Sequence, residues 1–249
     1  MDNQLPQSLG DNRTGGKLDI KETMKTAEGA VTYTQPTEGS SMALGENRIR
    51  YMKESDPVGT MPMPSSIKGA ISNLQEKIMQ GDYTFMDKLG ERLAFERTGS
   101  RLYEALLSKH KGSTGSEFYP DYSVLTQFYE EEKQHFRLCA EVMEELGGDS
   151  TAVTPCADVA GVAGMGWMQV IADPRTTFQQ SLEIILQAEL ADNACWENLI
   201  ELAENLGLDS VVERFTKAKL EEDVHLETVR QWVKELTLNG GKLITPELQ

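Results

Sequence analysis

Cysteine is scarce in this chain. The 249 residues include three cysteines, Cys139, Cys156 and Cys195, and no two of them form a C-x-x-C pair. A four-cysteine iron site or a zinc ribbon therefore cannot be built from this chain alone. So few cysteines without a pairing pattern predict a reducing compartment, and we expect the protein to be cytoplasmic.

Basic residues and long apolar runs are also scarce. Lysine and arginine number 24 against 40 aspartates and glutamates, which gives a net charge of −16. Sequence-independent binding of nucleic acid needs clustered lysine and arginine, and no basic run occurs, so we expect no nucleic-acid partner. No apolar stretch reaches about eighteen residues, and the first residues contain no apolar segment, which predicts neither a membrane span nor a signal peptide.

The alternation of apolar and polar residues that is typical of strands is not found, whereas apolar residues at helical spacing fill four long stretches. These stretches predict helices over about residues 83–109, 121–146, 174–205 and 209–236. Short links join the first two helices and the last two, and a long connection over residues 149–173, with a short helix of its own, joins the pairs. This organisation predicts an all-α fold, a four-helix bundle with one long crossover.

The two ends of the chain differ from the helical part in composition. Residues 1–65 are rich in Gly, Ser, Thr, Asn and Pro, which predicts an extended, irregular N-terminal arm. That arm is either a flexible tail or a segment that wraps around its own bundle or a neighbouring subunit. A short lead-in helix is predicted from Ser66 to Gly81, so the bundle domain covers residues 66–240, and residues 241–249 form a polar tail.

Two of the three histidines follow a glutamate by three residues. Glu132 and His135 lie in the second predicted long helix, and Glu222 and His225 lie in the fourth. Residues three apart on a helix share a face, so each carboxylate and imidazole can point at one centre. Each pair is a half-site for a metal ion, although a single Glu-x-x-His step is more often a surface pair.

Each half of the bundle also places one glutamate on the inward stripe of its first helix. Glu96 lies 36 residues before Glu132, and Glu189 lies 33 residues before Glu222. The predicted ligand set is Glu96, Glu132, His135, Glu189, Glu222 and His225. Four buried carboxylates would be neutralised by two divalent ions. Mixed oxygen and imidazole ligands favour iron or manganese, with zinc or cobalt as alternatives on affinity alone.

Several neighbouring residues could belong either to the site or to the ordinary core. Glu131 and Glu221 would be the ligands if the helical register were shifted by one residue, but they do not share the histidine face. His110 is interpreted as a charge at the C-terminal end of a helix. The residues that could line the site, or only fill the core, are Tyr103, Cys139, Asp192, Cys195 and Trp196.

Four segments resemble the rubrerythrin and ferritin-like di-iron carboxylate superfamily: AFERTGSRLY around Glu96, EEEKQH in the second helix, QAELADN around Glu189, and EEDVH in the fourth. The resemblance covers roughly residues 83–237 and implies a ferritin-like bundle with a di-iron centre. Tyr103 matches a position where rubrerythrins place a tyrosine near the site, which makes it a candidate catalytic residue. The resemblance implies two bridging glutamates and two terminal pairs, which are Glu132 and Glu222, Glu96 with His135, and Glu189 with His225.

The same resemblance implies an oxidoreductase whose two iron ions, or manganese in their place, react with O₂ or H₂O₂. The chain departs from rubrerythrin in two respects. The four-cysteine rubredoxin domain is missing, which leaves the electron donor unidentified, and Asp192 stands where a further glutamate is common. We expect a homo-oligomer, with a dimer favoured. Two alternatives stay open: an iron storage or detoxification protein, and a non-catalytic protein whose metal stabilises the fold while the arm binds a partner.

Overall fold

The computed structural model describes residues 21, 24, 25, 28, 29, 41–55, 58–62, 72–80, 82–112 and 120–238. Within these ranges there are seven helices and no strand, which confirms the predicted all-α class for this part of the chain. The helices are α1 (Ser41–Glu54), α2 (Ser72–Met79), α3 (Thr84–Gly112), α4 (Tyr122–Glu145), α5 (Pro155–Ala172), α6 (Phe178–Asn205) and α7 (Asp209–Leu238). None of these helices is long and apolar enough to cross a membrane.

The chain separates into two compact units, Met1–Asp56 and Pro57–Gln249. In the first unit, α1 is a helix in which no residue is buried. The sequence analysis predicted an extended arm there, and that prediction is wrong for residues 41–54. This segment, SMALGENRIRYMKE, contains no proline and consists mainly of residues with good helix propensity. Most of the remaining arm, the predicted start of the lead-in helix in residues 66–71, and the tail from residue 239 lie outside the described residues.

Four long helices of the second unit form a bundle in which each helix packs against two others. α3 packs on α4 and α6, and α7 packs on the same two helices. α4 and α7 run antiparallel, because Arg214 early in α7 pairs with Glu145 at the end of α4, whereas His225 further along α7 bonds Glu131. The four helices match the predicted stretches to within a few residues at each end.

Local capping explains several of the helix boundaries. Thr177 and Gln180 form a reciprocal capping box at the start of α6, which satisfies backbone N–H groups that have no partner within the helix. Gly147 and Gly207 follow α4 and α6 with φ angles of 84° and 69°. That left-handed conformation is the one in which a helix ends and in which glycine carries no steric penalty.

α5 lies in the long connection and packs on α3 and α6. Its start is held to the start of α3, because the Thr154 hydroxyl donates to the backbone carbonyl of Asp87 over 3.0 Å. Its end is held to the end of α3, because the Lys109 ammonium donates to the carbonyl of Asp173 over 3.1 Å. α5 therefore carries the chain along the length of the bundle, and α6 begins beside the end of α3, as a crossover requires.

The core of the bundle consists of two apolar clusters with a polar layer between them. One cluster contains Leu89 and Phe215, and the other contains Leu106 and Leu182. Between them, all four bundle helices contribute buried polar side chains, which are Arg92, Glu96, Glu132, His135, Glu189, Asp192, Asn193, Glu222 and His225. Burying so many ionisable groups in one layer is costly unless they are paired or bind ions, so this layer is the candidate site.

Candidate metal centre

All six predicted ligands lie in the polar layer. α3 contributes Glu96, α6 contributes Glu189, and α4 and α7 each contribute one Glu-x-x-His pair. Each of the six residues is at most 3% exposed, so none faces the outer surface. The helical period predicted that these side chains point inward, and the packing of four helices brings them to one level.

Ligand atoms of the six residues form two groups, which we call the first and the second position. The first position contains Glu96, His135 and Glu222, and the second contains Glu132, Glu189, Glu222 and His225. Within each group, one ligand atom from every residue lies within 4.8 Å of those of the others. Glu222 belongs to both groups, so it connects the two positions.

The Glu222 carboxylate lies between the two imidazoles. Its Oε1 is 2.5 Å from Nδ1 of His135, and its Oε2 is 3.0 Å from Nδ1 of His225. Each oxygen thus faces a histidine of a different position, which is the placement that a bridging carboxylate needs. Glu132, the other predicted bridging residue, falls in the second position only, with Oε1 3.7 Å from Nδ1 of His225. A bridging role for Glu132 stays a prediction.

Two acidic residues hold the outer nitrogens of the histidines. Oε2 of Glu131 on α4 lies 2.8 Å from Nε2 of His225 on α7, and Oε2 of Glu221 on α7 lies 2.9 Å from Nε2 of His135 on α4. These bonds leave both Nδ1 atoms facing the centre and fix the ring orientations. The alternative that a shifted register makes Glu131 and Glu221 the ligands does not fit this arrangement. Sequence reasoning missed their supporting role, although their position directly before each Glu-x-x-His step was visible.

Arg92 is the one cationic side chain among the buried polar residues of this layer apart from the histidines. Its Nε is 2.9 Å from Oε1 of Glu96, one helical turn away. Its guanidinium also pairs with the Asp192 carboxylate on α6 and donates to the Asp192 carbonyl over 3.0 Å. Asp192 is therefore the partner of Arg92 and lies outside both groups of ligand atoms. Asp192 was among the residues predicted to line the site or fill the core, whereas no role was predicted for Arg92, although an arginine on the inward stripe was an available indication.

Aromatic side chains border the two positions. The Tyr103 hydroxyl donates to Oε1 of Glu189 over 2.5 Å, so this residue contacts a predicted ligand, and its catalytic role stays a prediction. Trp196 packs edge-on against the His135 ring with centroids 6.0 Å apart. Cys139 is a buried free thiol, and burial raises its pKa well above the ordinary value, which favours the neutral thiol over the reactive thiolate.

His110 lies away from the polar layer. Its Nε2 is 2.9 Å from the carbonyl of Pro120, and its ring packs against Tyr122 and Phe178. It stands near the C-terminal end of α3, in agreement with its interpretation as a residue of the helix end. The remaining cysteine that was weighed, Cys195, is a partly buried free thiol on α6 and belongs to neither group of ligand atoms.

Gly99 makes room for a ligand. A side chain at this position of α3 would collide with the carboxylate of Glu132, because the place of a Cβ atom is already occupied by the Glu132 oxygens. In the present position of this carboxylate, α3 approaches it so closely that any side chain at residue 99 would force Glu132 to move.

Burial raises the pKa of three carboxyl groups in the two positions. It raises the pKa of Glu96 to about 8, even though Arg92 acts in the opposite direction. Burial, together with the charge of Glu222, also raises the pKa of Glu132 and that of Glu189 above their ordinary values. In the absence of a cation, burial therefore makes each of these three carboxyl groups harder to ionise than an exposed glutamate.

In the two histidines and Glu222, charge pairing outweighs burial and stabilises the charged forms. Burial disfavours a charge on His135, but the hydrogen bond and charge of Glu222 outweigh it and raise the pKa of His135 to about 10. The pKa of His225 is also raised, against its burial, chiefly by Glu222. Although burial opposes it, the two imidazoliums hold the pKa of Glu222 well below its usual value. Without a metal ion, protons on the two imidazoles thus compensate the charge of Glu222, and a cation that binds the imidazoles must displace them.

The charges of the layer fit two divalent ions. Five buried carboxylates carry five negative charges when ionised, and Arg92 offsets one of them, which leaves four. Two divalent cations supply four positive charges. Oε2 of Glu189 is buried and has no hydrogen-bond partner among the described residues, so this oxygen is available to an ion.

A small cavity of about 10 Å³ adjoins the second position. Its lining includes Phe95, Gly99 and Leu102 on the apolar side, and Glu132 and Glu189 on the polar side. This volume holds roughly one water-sized molecule.

Comparison with known proteins adds no relative: no family model, no curated protein and no solved structure matches this chain. The resemblance to the rubrerythrin and ferritin-like superfamily therefore stays a prediction that depends on the residues described above.

Proposed function

We propose that this protein is a ferritin-like redox protein that binds two iron ions and uses them in a reaction with O₂ or H₂O₂. The observation that carries the proposal is the position of Glu222, whose two oxygens face the inner nitrogens of two different histidines. A carboxylate in that position can supply one oxygen to each of two ions.

Charge balance and ligand chemistry support a pair of hard or borderline cations. Four glutamates and two imidazoles suit iron, with manganese as the alternative, better than a soft metal that prefers thiolates. Arg92 with Asp192 adds no net charge, so two divalent ions would make the layer neutral.

The chain's own residues would then divide the remaining tasks. When bound, the metal ions would supply the redox chemistry, by giving electrons to the oxidant. The two apolar clusters exclude water from the layer, and the outer carboxylates of Glu131 and Glu221 keep the histidines oriented. The Tyr103 hydroxyl donates a hydrogen bond to Oε1 of Glu189 and lies beside the small cavity, which makes this hydroxyl the candidate proton donor.

The size of the cavity favours a small oxidant as the reactant. A space of about 10 Å³ holds roughly one water-sized molecule, so a small oxidant such as O₂ or H₂O₂ would displace the lining less than an organic substrate, which would require the helices to move apart. Electrons for repeated turnover would come from a separate donor protein or small molecule. Oligomerisation as a dimer and residence in the cytoplasm belong to the same proposal.

The proposal is tested by loading metal-free protein with Fe(II) in the absence of oxygen and then adding O₂ or H₂O₂. We expect two Fe(II) per chain and a rapid rise in the near-ultraviolet absorption of ferric iron. Glu222→Gln should abolish the rise, whereas Glu227→Gln on the exposed side of α7 should preserve it.

Two outcomes would contradict the proposal. If the protein binds zinc but not Fe(II), and no absorption change follows the oxidant, the metal has a structural role only. If oxidised iron accumulates far beyond two per chain in a large cage seen by light scattering, the protein stores iron instead.

A further inference from the structure

The first position carries a fixed positive charge beside it. Arg92 places its Nε 2.9 Å from Oε1 of Glu96, and Arg92 is only 1% exposed. Solvent therefore screens this charge little, and it repels a cation bound nearby. Asp192 pairs with the same guanidinium and offsets part of its charge, but Asp192 lies in neither group of ligand atoms.

Arg92 also lies against one oxygen of this ligand. Its Nε forms an ion pair with Oε1 of Glu96 at 2.9 Å, although neither atom has a hydrogen-bond partner among the described residues. Oε2 of the same carboxylate lies 3.8 Å from Nδ1 of His135. The guanidinium charge therefore competes with an ion for the Glu96 carboxylate. The first position has three ligand residues, and one of them is shared with the second position.

The second position has different neighbours. Ile185 stands four residues before Glu189, at the place that Arg92 takes before Glu96, and it is buried and apolar. The hydrogen bond to Glu189 comes from the uncharged Tyr103 hydroxyl. The second position also has four ligand residues. More ligands and a neutral neighbour both favour tighter binding of a cation.

We infer that Arg92 makes the two positions unequal: the second position binds its ion first and more tightly, and the first position holds the exchangeable ion. This inference rests on the proposed function, since it requires that both positions bind ions. Arg92 is a positioning residue for Glu96, and with Asp192 it sets the order in which the centre is filled.

The order of filling is tested by calorimetric titration of metal-free protein with Mn(II). The native chain should bind two ions in steps whose Kd values differ by at least about tenfold. Glu96→Gln should keep the tight step and lose the weak one, whereas Glu189→Gln should lose the tight step. Glu227→Gln, an exposed change on α7, should keep both.

A double variant tests the role of Arg92 itself. Arg92→Met with Asp192→Leu removes the pair without leaving one buried charge unpaired, and it should tighten the weak step at least about tenfold with little change in the tight step. Arg230→Met with Glu227→Leu removes an exposed ion pair on α7 and should leave both steps unchanged.

The outcomes distinguish a failure of the inference about Arg92 from a failure of the proposed two-ion function. Two equal Kd values in the native chain, or loss of the tight step in Glu96→Gln, overturn the inference and leave a two-ion centre intact. Failure of the native chain to bind two ions overturns the proposed function as well. The single variant Glu96→Gln keeps the test decisive if the double variant does not fold.

Discussion

The α3–α4 half of the bundle and the α6–α7 half differ more in what surrounds their ligands than in the ligands themselves. Each half supplies one glutamate from its first helix and a Glu-x-x-His pair from its second. Each half also supplies the carboxylate that bonds the outer nitrogen of the other half's histidine, Glu131 for His225 and Glu221 for His135. These shared features are the ones that a two-ion centre requires.

The differences lie beside the first-helix glutamates. Around Glu96, the positions four before, three after and seven after are arginine, glycine and tyrosine, whereas around Glu189 they are isoleucine, aspartate and tryptophan. Arg92 pairs with the Glu96 of its own helix, while Tyr103 reaches across to Glu189 in the other half. The two halves thus supply the same kinds of ligand, whereas the residues that differ between the halves give Glu96 and Glu189 different electrostatic neighbours.

Glu222 is the residue on which both halves depend, and its change has the largest expected effect. Because Glu222 belongs to both positions, Glu222→Gln should lower the affinity for each of the two ions at least about a hundredfold. The loss of a residue that only supports a ligand typically has a smaller effect. Metal analysis after equilibrium dialysis should find less than one ion per chain. Retention of two ions would show that Glu222 does not connect the positions. Glu227→Gln is the matched control on the same helix.

Substitutions at the corresponding positions Arg92 and Ile185 should also differ in their effect on the free energy of unfolding. Arg92→Met leaves the Asp192 carboxylate buried without its partner and should lower the free energy of unfolding by about 3–5 kcal/mol. The corresponding change in the other half, Ile185→Val, removes one buried methyl group and should cost about 0.5–1.5 kcal/mol. Urea unfolding of metal-free protein measures both. Equal losses in the two variants would contradict a special role for Arg92.

Metal binding at the first position should depend on pH through Glu96. Its pKa is raised to about 8, so below that pH an ion must displace a proton from it. Affinity in the weak step should therefore rise by about tenfold per pH unit from about pH 6 to about pH 8 for each proton released. Titrations in two buffers with different ionisation heats count the protons. An affinity that does not change over this range would contradict the raised pKa.

The metal-free protein should respond to pH in the opposite direction. The folded pKa of Glu96 lies above its unfolded value, so the stability that its proton contributes is fully present below about pH 4.5 and is lost as the pH rises through about 8. His135, with a folded pKa of about 10, contributes stability that is fully present below about pH 6.5 and lost as the pH rises through 10. Thermal unfolding without metal should thus occur at lower temperature as the pH increases from neutral.

A substitution at Gly99 should have the smallest effect on metal binding. Gly99→Ala brings a methyl group against the Glu132 carboxylate, which must then move away from the second position. We expect the tight step to weaken by about tenfold, a change of about 1.4 kcal/mol. Gly166→Ala on α5 is the control, because a Cβ there meets open space and should, if anything, stabilise the helix by up to about 1 kcal/mol. Equal behaviour of the two variants would mean that Glu132 has room to adjust.

The sequence predicted the ligand-bearing faces well because helical period determines which side chains share a direction. Glu96 and Glu189 lie on apolar stripes, and the three-residue steps place each histidine beside its glutamate. Once four such helices pack around one core, the polar positions at the same level must meet. The bundle helices and the crossover were therefore predictable from periodicity and from loop length.

Contacts between helices were not predictable in the same way. The bonds of Glu131 and Glu221 to the opposite histidines depend on the rotation and spacing of α4 against α7, which periodicity does not determine. The reach of Arg92 to Asp192 depends likewise on the rotamer of a long side chain. In α1, helix propensity outweighed the polar composition from which an extended arm was predicted.

A crystal structure of protein loaded anaerobically with Fe(II), measured at the iron absorption edge, tests the central claim most directly. We predict two anomalous peaks, one among Glu96, His135 and Glu222 and the other among Glu132, Glu189, Glu222 and His225, each about 2 Å from its ligand atoms. Peaks confined to the protein surface, or a fully loaded crystal without a peak in the polar layer, would contradict the account.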